Sequence, residues 1–253
     1  MSTTAANRVP HIIFLYWVIK IASTTLGETG ADMFSMTFDL GYGITIVLFA
    51  SILLAFLAIK LILKKYEPIT YWLTFTATAI LGTAISDYID RTLELGYAIG
   101  SLILVILLFV VLAFWYLKEK SLAVEEITTP SAEMFYWTAF LIANTLGTAA
   151  GDFLADDLEI GFMLSAIAIA GILILTALLH YRTRLSKIAL FWIAFVFTRP
   201  FGATFGDFLT KPIEHGGLNL GTIGASLFFL AMLIFAVAKE IKVEKAKSDL
   251  TLP

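Results

Sequence analysis

Residues 147–153 read GTAAGDF and place Asp152 directly behind two glycines, inside an otherwise apolar run. Variants of the same phrase occur three more times, as GETGADM at 27–33, GTAISDY at 82–88 and GATFGDF at 202–208. Self-similarity of this kind is the sequence signature of tandem structural repeats. The phrase therefore indicates an internal repeat, and the four copies can be aligned on it.

A tryptophan precedes each phrase at a fixed distance. The four tryptophans are Trp17, Trp72, Trp137 and Trp192. A glycine follows each of them after ten residues (Gly27, Gly82, Gly147, Gly202), and an aspartate follows after fifteen (Asp32, Asp87, Asp152, Asp207). We therefore divide the chain into repeats at about 10–65, 66–120, 130–185 and 186–240, followed by a cytoplasmic tail at 241–253.

Each repeat contains two apolar runs, and most are long enough to cross a hydrocarbon core of roughly 30 Å as a helix. The eight predicted helices are 10–34, 41–64, 69–89, 95–117, 133–154, 160–181, 187–208 and 219–239. Hydrophobic residues make up 59% of the 253 residues, and the mean hydropathy is +0.90. These features predict an all-α membrane protein with a single transmembrane domain over 1–253 and no cleaved signal peptide.

The basic residues are divided unequally between two sets of joints. Of the 17 Lys and Arg residues, 13 lie between repeats or near the chain ends. The joints within repeats contain only Arg91 and Lys211, whereas Lys20 and Arg199 lie in predicted spans. Because basic loops remain in the cytoplasm, we expect both termini there, in a bacterial inner membrane. The four two-helix repeats are then parallel, with pseudo-fourfold or 2+2 symmetry about the membrane normal.

The repeated positions resemble those of a known family. Its members are bacterial integral membrane proteins built from four tandem two-helix repeats, each with a characteristic tryptophan. The resemblance extends over nearly the whole chain, through the four tryptophans and the glycines and aspartates that follow them. The repeat of that family is one of unknown function. The resemblance therefore implies the architecture, and the chemistry has to be argued from the residues.

The tryptophan, glycine and aspartate of each repeat share one helix face, because a helix turns by about 100° per residue. Small residues occur on this face ten and fourteen positions after each tryptophan. Such spacing lets helix backbones approach closely in lipid. The glycines concerned are Gly27, Gly82, Gly147, Gly151, Gly202 and Gly206. We predict that they pack the odd-numbered helices against one another in the middle of the bundle.

The four aspartates lie near the ends of the odd-numbered helices, where a carboxylate faces the negative end of the helix dipole. This unfavourable placement in every repeat favours a shared binding site or vestibule. Solvation at the membrane interface is the other interpretation. A second polar set (Asp39, Glu94, Glu159 and Asn219) precedes the even-numbered helices, where capping and solvation at the interface explain most of them.

Four polar residues of the helix face occur in one repeat each, namely Lys20, Glu28, Asn144 and Arg199. Charges within a membrane span are costly unless they are paired or hydrated, and by default they mark a functional site. The alternative is that Lys20 and Arg199 only neutralise Glu28 and the aspartates within the bundle. Pro200 is expected to kink or unwind the seventh helix beside Arg199.

Oxygen ligands without cysteine or paired histidines favour a hard cation such as Mg²⁺ or Mn²⁺. We therefore predict a transporter of a divalent cation, with proton coupling through Glu28 and the aspartates as an option. The predicted ligands are Asp32, Asp87, Asp152, Asp207, Glu28, Asn144, Thr83 and Thr148, and the four aspartates would hold the metal. Lys20 and Arg199 would act as counter-charges. The tryptophans would form an interfacial belt or a cytoplasmic gate. The cation is the substrate, and no separate cofactor is assigned.

Two other classes of function stay open at this point. Arg199 and Lys20 could hold an anionic solute or a lipid headgroup. Alternatively, the protein is a membrane scaffold or sensor that transports nothing, which a dry and fully packed bundle axis would favour. An enzyme is the least expected class, because no nucleophile–base pair or phosphate loop is visible. The expected partners are the lipid bilayer and a small ion or solute, not nucleic acid, and a homo-oligomer is left open.

Overall fold

The fold, seen here in a computed structural model, is described for residues 7–124 and 127–251. These residues form eight α-helices and no β-strand. The helices are α1 (Phe14–Asp32), α2 (Gly41–Leu63), α3 (Pro68–Asp87), α4 (Tyr97–Glu119), α5 (Pro130–Asp152), α6 (Phe162–Arg182), α7 (Lys187–Thr210) and α8 (Thr222–Thr251). The all-helical fold and the number of helices are those predicted from the sequence.

The ends of the helices differ from the prediction in two ways. A single π-helical turn directly follows the aspartate of α1, α3 and α5, at Met33–Thr37, Tyr88–Thr92 and Phe153–Asp157. Such turns occur frequently at functional sites. In the fourth repeat α7 instead runs as an α-helix to Thr210. Helix α8 continues to Thr251 and so includes most of the segment that was expected to be a tail.

The odd-numbered helices form a closed inner ring in which α1 contacts α3, α3 contacts α5, α5 contacts α7 and α7 contacts α1. The even-numbered helices lie outside this ring. Helix α2 packs on α3, α4 on α5, α6 on α7 and α8 on α1. Each even-numbered helix thus covers the odd-numbered helix of the next repeat, and the last repeat closes onto the first. The small and polar face of every odd-numbered helix contributes to the inner ring.

The outer helices have the character of membrane helices. Large apolar side chains on their outer faces are exposed, for example Val47 on α2 (68%) and Phe109 on α4 (68%). Six helical segments in the described residues are long and apolar enough to cross a membrane. They are Gly41–Leu63, Pro68–Thr92, Tyr97–Glu119, Phe162–Arg182, Lys187–Thr210 and Thr222–Ala246. Helices α1 and α5 are not among them, because polar and small residues lower their hydropathy.

The joint before each even-numbered helix has the same backbone conformation in all four repeats. Asp39, Glu94, Glu159 and Asn219 adopt φ angles of 54–56°. Each is followed two residues later by a glycine that also has positive φ (Gly41, Gly96, Gly161 and Gly221). The expected capping by these side chains is wrong for α2, α4 and α6, whose N-termini have no side-chain cap. The polar residues instead occupy left-handed turn positions, which Asp and Asn tolerate well.

Candidate functional site

The inner helices touch one another through the repeated glycines. The glycine ten residues after each tryptophan faces the residue seven after the tryptophan of the next odd-numbered helix. The four contacts are Gly27 with Ala79, Gly82 with Asn144, Gly147 with Arg199, and Gly202 with Thr24. A Cβ atom built on Gly27 would lie 2.6 Å from the Cβ of Ala79, closer than real Cβ atoms approach. Gly151 and Gly206 repeat the pattern one turn further along, against Ala203 and Glu28.

The Arg199 side chain occupies the middle of the inner ring and is fully buried. Its Nη2 donates to Glu28 Oε2 at 3.1 Å, to Thr148 Oγ1 at 2.7 Å and to the Thr83 hydroxyl. Its Nη1 donates to the Thr24 carbonyl at 3.3 Å. The guanidinium therefore joins all four odd-numbered helices. Glu28, Thr83 and Thr148, three of the predicted ligands, are brought together by this residue.

Asn144 and Pro200 flank Arg199 in different ways. Asn144 is buried, and neither atom of its amide has a hydrogen-bond partner within the described part of the chain. Helix α7 is continuous through Pro200, and the predicted unwinding is therefore wrong. The Pro200 carbonyl accepts a hydrogen bond from Thr204 Oγ1 at 2.9 Å, so the turn after the proline is held in helical geometry.

Lys20 lies in an aromatic box and not beside a carboxylate. Its Nζ is 3.6 Å from the centre of the Phe195 ring, 4.9 Å from that of Phe75 and 5.1 Å from that of Phe140. These phenylalanines take the position of Lys20 in the other three repeats. The amine is fully buried and has no hydrogen-bond partner among the described residues. The prediction that Lys20 pairs with an acidic side chain is therefore wrong, because the equivalent level of the other helices is aromatic.

Replacing Lys20 with methionine should stabilise the protein by about 1 kcal/mol. Methionine has a similar length and fills the box, while the cost of burying an unpaired ammonium disappears and only cation–π attraction is lost. The measurement is the free energy of unfolding in mixed detergent micelles. Phe140→Leu, which weakens the box and keeps the lysine, serves as the control and should destabilise. A destabilised Lys20→Met variant would contradict this interpretation.

The four aspartates lie one helical turn beyond Glu28, and each is at most 2% exposed. Lys211 Nζ is 3.1 Å from Asp32 Oδ2 and 3.3 Å from Asp207 Oδ1, which links α7 to α1. Arg91 is 3.6 Å from Asp87 and 3.7 Å from Asp152, which links α3 to α5. The alternative interpretation, that the aspartates are solvated at the membrane interface, does not fit these side chains, because they are buried and paired with basic residues. We call Asp32, Asp87, Asp152 and Asp207 the aspartate layer.

The aspartate layer is electrostatically connected around the ring. The negative charges of neighbouring carboxylates repel one another in four pairs: Asp32 with Asp87, Asp87 with Asp152, Asp152 with Asp207, and Asp207 with Asp32. Together with Glu28 the layer contains five carboxylates, and the basic groups that contact them are Arg91, Arg199 and Lys211. If all are ionised, the formal charge of this set is −5 + 3 = −2. The set would complement one divalent cation only in this fully ionised state.

The part of this set that can hold a metal ion is compact. One carboxylate oxygen from each of Glu28, Asp32 and Asp207 lies within 4.8 Å of the others. Three carboxylate oxygens at such separations suit Mg²⁺ or Mn²⁺, which prefer oxygen ligands. The carboxylates of Asp87 and Asp152 accept no hydrogen bond in the described residues, although both residues are 1% exposed. On the α1–α7 side of the layer, Asp32 and Asp207 therefore lie close to Glu28 and pair with Lys211. On the α3–α5 side, the carboxylates of Asp87 and Asp152 have fewer polar partners.

Lys211 remains charged in this position. Burial disfavours its ammonium form, but the carboxylates of Asp207 and Asp32 outweigh that effect and raise the pKa of Lys211 above its usual value. Its charge is therefore part of the site at neutral pH.

The repeated tryptophans are not a belt that faces lipid. Trp72, Trp137 and Trp192 are at most 8% exposed, and Trp17 is partly buried. They pack within a cluster of aromatic rings, for example Trp72 against Tyr16 and Trp137 against Tyr71. The belt prediction is therefore wrong, because the tryptophans lie on the helix face that points into the bundle. A gating role at this level stays a prediction.

Buried ion pairs close the same end of the bundle as the tryptophans. Glu133 on α5 accepts from Arg8 at 2.7 Å and lies 3.3 Å from Lys60 on α2. Glu240 on α8 accepts from the indole of Trp72 at 2.6 Å. The segment before α1 and the last helix are therefore both fastened to the inner ring. We call this the tryptophan end and the opposite one the aspartate end.

Arg91 and Lys211 contact the aspartate layer but are not among the site residues predicted from the sequence. Both stand four residues after an aspartate of the layer, Asp87 and Asp207, and this spacing places them one turn away on the same helix face. They are also the only basic residues of the joints within repeats. Those two observations together would have identified them.

Comparison with known proteins agrees with this architecture. No curated protein and no solved structure matches the chain. One family model, described as Repeat of Unknown Function (DUF347), matches four consecutive segments at residues 15–66, 70–121, 135–186 and 190–246. These segments begin just before or at each tryptophan and cover most of the sequence. The protein therefore belongs to the DUF347 repeat family.

Proposed function

We propose that the protein spans a bacterial inner membrane with both termini in the cytoplasm and the aspartate end outside. The basic joints between repeats and the apolar outer faces of the even-numbered helices support this orientation. We further propose pseudo-fourfold symmetry of the helices about the membrane normal. The charges reduce it to 2+2 symmetry, since Arg91 and Lys211 occur only in the second and fourth repeats.

In this membrane orientation, we propose that the protein is a transporter of a divalent cation such as Mn²⁺ or Mg²⁺. The observation that supports this most directly is the excess of two buried carboxylates around Glu28 and the aspartate layer. Buried charges are costly unless they are compensated. A divalent cation that enters from the aspartate end would supply the missing compensation.

The contacts of Arg199 bear on the choice between cation and anion. Both Nη atoms of the guanidinium are engaged by Glu28, Thr83, Thr148 and Thr24, whereas its buried Nε has no hydrogen-bond partner in the described residues. An anionic solute would have to displace the Glu28 carboxylate from this residue. We therefore rank the anion alternative below cation transport. Arg199 also closes the axis, so the proposed mechanism is that of a carrier with alternating access and not an open channel.

A scaffold or sensor that transports nothing is the second candidate, and the packing of the axis favours it. The inner ring is filled by aromatic side chains around Lys20, by Arg199 and its partners, and by the ion-paired aspartate layer. A groove of about 340 Å³, lined by residues including Thr37, Thr210 and Thr222, opens at the aspartate end without reaching into this axis. Transport therefore requires helix movement, which a scaffold does not.

The test is uptake of Mn²⁺ into lipid vesicles that contain the purified protein. Asp152→Asn and Glu28→Gln should each lower the rate at least about tenfold, equivalent to about 1.4 kcal/mol, because each removes a carboxylate from the site. Asp39→Asn and Glu94→Gln remove exposed carboxylates of the outer joints and should leave the rate within about twofold of the wild type. Uptake no faster than in protein-free vesicles, for Mn²⁺, Mg²⁺ and Ca²⁺ alike, would favour the scaffold.

A further inference from the structure

We propose that Lys211 is a tethered cation that occupies the ion site when no metal is bound, so that a divalent cation must displace its ammonium group. This inference rests on the proposed function and identifies the half of the aspartate layer where the ion is held. The ligands would be Asp32, Asp207 and Glu28.

The ammonium group of Lys211 already lies at the proposed ion site. Lys211 Nζ lies 3.1 Å from Asp32 and 3.3 Å from Asp207, which are two of the three residues in the compact oxygen triad. An ammonium group is a compact point charge and can stand where a metal ion would stand. The described partners of Lys211 Nζ are both carboxylates of this triad.

The triad lacks some hydrogen-bond donors even with Lys211 in place. Asp207 is 1% exposed, yet its Oδ1 accepts no hydrogen bond and has only the ion pair with Lys211. The neighbouring carboxylates of Asp87 and Asp152 are equally buried and also accept no hydrogen bond. Buried oxygens without donors are a liability in a purely structural site, and they are what a metal ion needs.

The Lys211 side chain can leave the triad while its backbone stays in place. Its carbonyl accepts from the Asn219 N–H at 2.9 Å, and Gly217 packs so closely on it that a Cβ would not fit. Its side chain is 21% exposed, in contrast to 1% for Arg199. A rotation of the side chain alone would therefore move the charge from the triad toward the outer surface.

Arg91 is the natural comparison, because it also neutralises two aspartates of the layer. Its guanidinium contacts Asp87 and Asp152 at longer distances, 3.6 and 3.7 Å. It also donates to the hydroxyls of Tyr97 and Tyr42, which anchor it outside the triad. Removal of either residue makes the layer more negative by one charge, but only removal of Lys211 empties the triad.

The experiment measures Mn²⁺ binding to the purified full-length protein in detergent, by electron paramagnetic resonance of the free ion. Lys211→Met should lower the Kd for Mn²⁺ at least about tenfold relative to the wild type, whereas Arg91→Met should change it less than about threefold. Asp207→Asn added to Lys211→Met should abolish the gain. Size-exclusion profiles establish that each variant is folded, and Lys211→Gln replaces Lys211→Met if the latter is not.

The possible outcomes test the tethered-cation inference and the proposed function separately. Equal tightening in Lys211→Met and Arg91→Met would show a general charge effect and overturn the tethered-cation inference. So would unchanged or weaker binding in Lys211→Met, or failure of both Lys211 variants to fold, since Lys211 would then be a structural ion pair. Absence of Mn²⁺ binding in the wild type and in every variant, together with no uptake of Mn²⁺, Mg²⁺ or Ca²⁺ into vesicles, would instead refute the proposed function itself.

Discussion

The Arg199→Met variant is expected to lose about 3–5 kcal/mol of the free energy of unfolding, the usual cost of removing one partner from a buried ion pair. Glu28 would remain as a buried carboxylate at 2% exposure, and its remaining described donors would be the hydroxyls of Thr83 and Thr148. Methionine keeps the Cβ and Cγ atoms that pack on Gly147, so the loss would report the charge and its hydrogen bonds. Unfolding by sodium dodecyl sulfate in mixed micelles is the measurement.

The matched control is the double variant Arg199→Met with Glu28→Gln. Glutamine keeps the shape of Glu28 and removes the uncompensated charge, so the double variant should recover more than half of the lost stability. Non-additivity of that size is expected for residues in direct contact. Additive losses in the double variant would mean that the ion pair is not the main reason why Arg199 is needed. The single variant Glu28→Gln of the same double-mutant cycle is expected to fold but to lose transport. It therefore distinguishes a loss of transport from a loss of stability.

The architecture was largely predictable because the angular step of an α-helix is fixed. Tryptophan, glycine and aspartate at constant spacing had to share one face, and four such faces had to meet if they were to be buried. The same rule should have excluded a lipid-facing belt. A tryptophan on the same face as the buried glycines of its repeat points into the bundle, and the interfacial preference of tryptophan is only a statistical tendency.

The contacts that side chains make at each height along the bundle axis were less predictable than the helix faces on which these side chains lie. Lys20, Phe75, Phe140 and Phe195 occupy one aligned position, but only the packing of four helices at equal height makes them a box. The pairing of Glu28 with Arg199 likewise joins helices that are far apart in sequence and adjacent only because the ring closes. Local periodicity does not describe such closure, so the sequence offered both Arg199 and Lys20 as counter-charges of Glu28 and could not show that only Arg199 contacts it.

The close contact between α1 and α3 leads to the second large expected effect. Gly27→Ala should destabilise the protein by about 2 kcal/mol, because the new methyl would lie 2.6 Å from the Cβ of Ala79 and 3.0 Å from its backbone carbon. Neither atom is the end of a flexible side chain, so α1 and α3 would have to move apart. The measurement is again the free energy of unfolding in mixed micelles.

Two variants distinguish overpacking from an effect on helix propensity. Gly171→Ala on α6 adds the same methyl where nothing lies within 4 Å, and it should stabilise by up to about 1 kcal/mol through helix propensity alone. Ala79→Gly combined with Gly27→Ala moves the methyl to the other side of the contact and should restore part of the loss. If Gly27→Ala behaved like Gly171→Ala, the inner helices would not touch through these glycines, and the aspartate layer would lose the close packing that brings its carboxylates together.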